Sequence, residues 1–139
     1  MIFWIASYPK SGNTWLRALL SAYFYSQNGE YDEKLLKKID QFPTRKYFTD
    51  FEYNKKIIGD TCKYWIKAQE KVNIDKKLKF FKTHCAFGKV NNFDFTNSLN
   101  SIGCLYIVRD PRNVFSSVKN HYELDNDKAI KWMTNEKQF

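Results

Sequence analysis

The segment IFWIASYPKSGNTWLRALL, residues 2–20, changes character twice over a short length of chain. Residues 2–7 form a nearly continuous apolar run, with Ile2, Phe3 and Ile5, as expected for a strand covered on both faces in a parallel sheet. From Thr14 the period lengthens: Trp15, Leu16, Leu19, Leu20 and Tyr23 recur at helical spacing, and Asn28-Gly29 closes the run. Between the two lie Pro9, Lys10, Ser11, Gly12 and Asn13, a polar junction. The reading is strand, loop, helix.

Amides at a helix N-terminus point outward unpaired and carry partial positive charge, so this junction favours a phosphate-like group. Gly12 lets the backbone approach closely, while Lys10, Ser11, Asn13 and Thr14 supply donors. The nucleoside-triphosphate loop G-x-x-x-x-G-K-[ST] sets its Lys directly after the second glycine, followed by a magnesium-binding hydroxyl. Here Lys10 precedes Gly12, Asn13 stands in the place of that Lys, and no earlier glycine is present. The anion loop survives this comparison, whereas a P-loop kinase or nucleotidase is disfavoured.

Two further strands end in polar residues. LKFFKTH, residues 78–84, alternates, and its Lys82 and His84 share the period-2 spacing that sends both side chains to one side. Histidine titrates near working pH and suits a general base, and a neighbouring lysine can neutralise developing charge. In a lysine-rich chain the pair can also be incidental, and so can His121. GCLYIVRD, residues 103–110, reads as a buried strand, and Asp110-Pro111 as the start of a helix over 111–124. Arg109 lies at that strand's tip and Ser117 about two turns into the helix, a planar fork and a compact hydroxyl suited to phosphate. Arg109 could equally pair with a carboxylate, Arg112 be an ordinary surface charge, and Ser116 a plain helix residue. The middle of the chain suggests helices near 32–40 and 60–71 with a turn at Pro43, and NDKAIKWMTNEKQF, 126–139, suggests a last helix.

Strands alternating with helices predict an α/β fold, a parallel sheet flanked by helices, whose ligands bind beyond the carboxyl ends of the strands. All three polar clusters fall there. The 139 residues suit one domain, and 43% apolar with 18% aromatic content excludes a disordered chain. The net charge of +8 fits a polyanionic ligand, nucleic acid or an acidic surface, or simply a solvated, lysine-rich exterior. A nucleic-acid binder would need this charge gathered into a surface stripe. Three cysteines without C-x-x-C spacing indicate neither a disulfide framework nor a zinc site, and fit a reducing compartment. The N-terminal apolar run is too short to span a membrane and is broken at once by Pro9 and Lys10.

Taken together these residues resemble the sulfotransferase superfamily, whose donor is 3′-phosphoadenosine-5′-phosphosulfate (PAPS). SYPKSGNTWLR is similar to the family's 5′-phosphosulfate loop Y-P-K-S-G-T-T-W. IVRDPRNVFSS resembles its 3′-phosphate motif, an Arg followed eight positions later by a Ser, as in Arg109 and Ser117, and KTH resembles its catalytic segment. The resemblance implies a P-loop-like nucleotide-binding core in which Lys10, Ser11, Gly12, Asn13, Thr14 and Trp15 hold the 5′-phosphosulfate, Asn13 keeping a donor where Thr is commoner. Arg109 and Ser117 would hold the 3′-phosphate. His84 would take the acceptor's proton, Lys10 stabilise the leaving nucleotide, and Lys82 assist the transferring group. A sulfuryl group carries less charge than a phosphoryl group, so no metal is expected. The acceptor would be a small molecule, carbohydrate or lipid bearing a hydroxyl or amine, in a cytoplasmic setting, with no nucleic-acid partner. Family members usually carry a basic R-K-G-x-x-G loop after the 3′-phosphate motif, and none follows Ser117. Residues 1–139 are therefore expected to form a single donor-binding domain shortened at its C-terminus. The competing reading is a non-catalytic nucleotide-binding module.

Overall fold

The computed structural model describes residues 1–57 and 59–135. Among the described residues the strands are β1 Ile2–Ser7, β2 Asp40–Gln41, β3 Lys79–Thr83, β4 Lys89–Val90, β5 Phe93–Asp94 and β6 Ser101–Ile107. The α-helices among the same residues are α1 Asn13–Tyr25, α2 Trp65–Val72, α3 Pro111–Tyr122 and α4 Asn126–Met133. The main sheet has the order β2-β3-β1-β6 with every pair parallel, and β4 and β5 form a separate antiparallel hairpin. The expected α/β architecture, a parallel sheet between helices, is thus observed.

Register explains the two sheet faces. Trp4 pairs with Phe81, and this face meets Trp65 and Ala68 of α2 together with Phe42, Phe48 and Phe95. Trp4 is fully buried, with rings of Phe42, Phe81 and Phe95 around it and its indole Nε1 donating to Ser101 Oγ at 2.6 Å. On the opposite face Phe3 pairs with Phe80, and Phe24 of α1 stacks on Phe80 at 4.9 Å between centroids. A smaller cluster of Val114, Val118 and Ala129 joins α3 to α4. Tyr8 ties this pair to the start of the anion loop by donating to the Met133 carbonyl at 2.9 Å.

Several expectations need correction. The segment expected to be helical near 32–40 is a 3-10 helix over Glu33–Lys38, after which Ile39 turns extended and buried and leads into β2. The helix expected over 60–71 starts as a 3-10 turn, Asp60–Tyr64, before α2. The strand expected to be buried near 103–110 is β6, at the sheet edge, with Tyr106 61% and Ile102 55% exposed. Its apolar run reflects strand propensity, but no described strand covers its outer side. The apolar stripe of α1 also faces differently: Trp15 is 70% and Tyr23 79% exposed, while Asn13, Ser21 and Ala22 are buried. Polar anchors set the rotation of this helix. Asn13 donates to the Ile5 carbonyl and Ser7 Oγ, and Arg17, one turn on, to the carbonyls of Leu36 and Ile39. Residues 136–139 of the expected last helix lie outside the described residues. No described helix is long and apolar enough to cross a membrane.

Candidate active site

The chain leaves β1 through a loop that turns twice into left-handed backbone, at Lys10 (φ 65°) and Gly12 (φ 104°). Gly12 is the N-cap of α1, and a Cβ built there would meet nothing within 4 Å, so the helix opens onto free space. The first amides of α1 have no acceptor within the helix and face that space. Beyond β6 the Asp110 side chain accepts from the Arg112 amide at 2.8 Å and starts α3 at Pro111, as the Asp-Pro pair predicts.

One cleft of about 1020 Å³ runs across the carboxyl ends of the strands. It is lined by Lys10, Gly12, Asn13, Thr14 and Trp15 of the loop and α1, by Lys82 and His84 at the end of β3, and by Arg109 and Ser117 after β6. Nine of the ten residues singled out from sequence therefore share one cavity. The tenth, Ser11, is buried in the wall of a separate pocket of about 200 Å³ with Tyr8, Val108 and Pro111. Its side chain is not part of the cleft wall. Asn13 also departs from expectation, because both hydrogens of its buried amide are spent on β1 and its Oδ1 has no partner among the described residues. What Asn13 offers the cleft is its backbone N–H, not a side-chain donor.

His84 is held by β1. Its Nδ1 lies 2.7 Å from the Ser7 carbonyl and 3.4 Å from Ser7 Oγ. A carbonyl only accepts, so Nδ1 carries the hydrogen and the neutral ring keeps its lone pair on Nε2. Burial lowers the His84 pKa below its ordinary value; the Ser7 contact pulls the other way, and the cations Lys82 and Arg17 add to the lowering. Lys82 is likewise pushed down by burial and by Arg17. The lowering favours the unprotonated form of the His84 ring, which can accept a proton at Nε2.

Arg109 reaches back across the cleft and donates to the Lys10 carbonyl at 3.1 Å, joining the third polar tip to the first. Asp110 is taken by Arg112 in an exposed ion pair at 2.6 Å, so that arginine is an ordinary surface charge. Ser116 donates to the Arg112 carbonyl within its own helix. His121 does line the cleft, one turn beyond Ser117, together with Tyr122 and Trp132. Sequence reasoning missed Tyr31, Gln41, Phe42 and Pro43, which also line the cleft and come from the two-residue β2 and irregular chain, without a periodic signal. It also missed Arg17, whose spacing of four from Asn13 on an otherwise apolar helix was a readable sign.

A fixed base, three side-chain cations and free helix amides around one hollow suit transfer of an anionic group to a protic acceptor. Comparison with family models matches residues 2–137 to the sulfotransferase domain. The chain belongs to the sulfotransferase family. No curated protein matches it. Membership of this family supports a transferase-type function in general, and the loop, the KTH segment and the Arg109–Ser117 pair all contribute to the one cleft.

Proposed function

We propose that this sulfotransferase chain binds PAPS and moves its sulfuryl group to an acceptor hydroxyl or amine. The observation that supports this reading is the single cleft joining Lys10, Lys82, His84, Arg109 and Ser117 across the ends of β1, β3 and β6. The residues fit a doubly anionic nucleotide: the helix opens onto free space at Gly12, and the described lining contains Lys10, Lys82 and Arg109 but no carboxylate. Lys10 and the amides of Gly12, Asn13 and Thr14 would hold the 5′-phosphosulfate, with Trp15 beside them and Ser11 contributing backbone only. Arg109 and Ser117 would hold the 3′-phosphate. When bound, the donor supplies a sulfuryl group joined to a phosphate that can leave.

The chain's own residues do the rest. Nε2 of His84 takes the acceptor's proton as the acceptor attacks sulfur, while the hydrogen bond from Nδ1 to Ser7 keeps the ring turned and the tautomer fixed. Lys82, two residues before the base, offsets charge on the transferring group. Lys10 stabilises the phosphate oxygen that departs, so that positioning and electrostatics carry the reaction. A single donor-binding domain in the cytoplasm, acting on a small-molecule, carbohydrate or lipid acceptor, belongs to the same reading, and the free thiols of Cys62, Cys85 and Cys104 fit a reducing setting.

Calorimetry with 3′-phosphoadenosine-5′-phosphate, run beside an assay with labelled donor and a broad acceptor panel, tests this. Saturable binding together with label transfer is expected. Binding without transfer to any acceptor would point to a nucleotide-binding module, and absence of binding would end the proposal.

A further inference from the structure

Arg17 of α1 is a cation near the base that belongs to none of the three polar tips, neither the loop, nor the KTH segment, nor the Arg109–Ser117 pair. Its Nη2 donates to two backbone carbonyls, Leu36 at 3.0 Å and Ile39 at 2.5 Å. Both carbonyls sit where the 3-10 helix Glu33–Lys38 ends, and Leu36 also accepts from the Ile39 amide at 3.2 Å. Immediately afterwards the chain enters β2, which pairs with Phe81 and Lys82 of β3, and the Phe42 amide donates to the Lys82 carbonyl at 2.9 Å. The stretch so anchored carries Gln41, Phe42 and Pro43, the cleft wall beside His84.

We propose that Arg17 is a positioning residue: it straps the helix behind the anion loop to the wall that faces the acceptor, so that donor loop, base and acceptor wall move as one body. The reasons are geometric. Asn13 and Arg17, one turn apart on the inward face of α1, bind opposite neighbours, β1 on one side and the 36–39 segment on the other. A guanidinium serves two carbonyls at once because its donors are fixed in a planar fork, which a lysine ammonium is not. The inference rests on His84 being the acceptor base.

The charge of Arg17 has a second effect. Around His84 stand Lys82 on β3, Arg17 on α1, Lys10 in the loop and Arg109 after β6, with Cys85 next in sequence and Tyr31, His121 and Tyr122 across the cleft. Asp40 on β2 lies near Arg17 and is itself engaged by Lys46 and Tyr47. Arg17 and Lys82 both favour the unprotonated ring.

Proton-detected titration of the His84 imidazole can be combined with amide exchange at Ile39 and Phe42. Neither readout needs donor, acceptor or turnover, and so a failure here is separable from a failure of nucleotide binding. In Arg17→Gln the exchange at Ile39 and Phe42 should quicken about tenfold or more, and His84 should titrate at higher pH than in the native chain. Arg17→Lys keeps the charge and loses the fork: His84 should titrate as in the native chain, with exchange intermediate. Unchanged exchange in both variants overturns the proposal, even if His84 moves. Should Arg17→Gln fail to fold, native exchange rates in Arg17→Lys overturn it alone.

Discussion

At His84 the tautomer follows from a single contact, the Ser7 carbonyl at 2.7 Å, and this gives the pH behaviour a definite sign. In the proposed role the neutral ring is the form that accepts a proton, and the folded pKa lies below the ordinary value of about 6.5. The rate of transfer should rise with pH through that lowered pKa and level off at a lower pH than an unperturbed imidazole would set, a profile that a pH series of kcat/KM checks. The same shift affects stability: the unfolded chain binds the His84 proton more readily, so stability held above the ordinary pKa is lost as pH falls through the folded one. His84→Asn should flatten that acid decline in denaturant titrations. His84→Ala should slow transfer by about 10²–10⁴-fold with nucleotide affinity little changed, whereas Arg109→Ala should weaken 3′-phosphoadenosine-5′-phosphate binding by roughly 10–100-fold, the loss of a charged hydrogen bond. Equal calorimetric affinity for Arg109→Ala and the native chain would contradict the role given to that side chain. The glycine turn before a helix and the two side chains at period 2 were legible because their chemistry is local, and the Arg eight before a Ser through its resemblance to the family's 3′-phosphate motif. The inward turn of Asn13 was not legible, since it depends on a carbonyl and a hydroxyl of β1 that only the folded chain brings near.

Elements were legible in kind and less so in facing. Periodicity reports where apolar residues recur, but burial is decided by which neighbour is there to cover them. For α1, two polar anchors outweighed the apolar stripe and left Trp15 and Tyr23 largely exposed. For β6, position at the edge left an apolar strand open. The short β2 and the β4–β5 hairpin, of two residues per strand, are below the length at which alternation can be read. Strand packing makes its own prediction. Gly103 of β6 lies beside Phe3 of β1, and a Cβ at this position would stand 2.8 Å from the Phe3 ring. Gly103→Ala should therefore destabilise the chain by about 1–3 kcal/mol through overpacking, seen as a lower urea midpoint, and Phe3→Leu in the same chain should recover part of it. A midpoint equal to the native one would mean that the ring is free to swing away.

For the whole molecule, one sheet face carries most of the aromatic core. Trp4 stands at its centre among the rings of Phe42, Phe81, Phe87 and Phe95. Trp4→Ala should cost about 3–5 kcal/mol, more than most single truncations, and a thermal melt with near-ultraviolet dichroism would register it; a loss below 1 kcal/mol would show that the core closes over the gap. The same sheet brings its three strand tips together at one end, where the described lining has cations and no carboxylate. That imbalance acts before contact. A highly charged nucleotide approaching through solvent is drawn toward the mouth by a field unopposed from within, and dissolved ions weaken this pull over a distance of roughly 8–10 Å at physiological strength. Stopped-flow traces should accordingly show the association rate of 3′-phosphoadenosine-5′-phosphate falling steeply as sodium chloride is raised, while its escape rate changes far less.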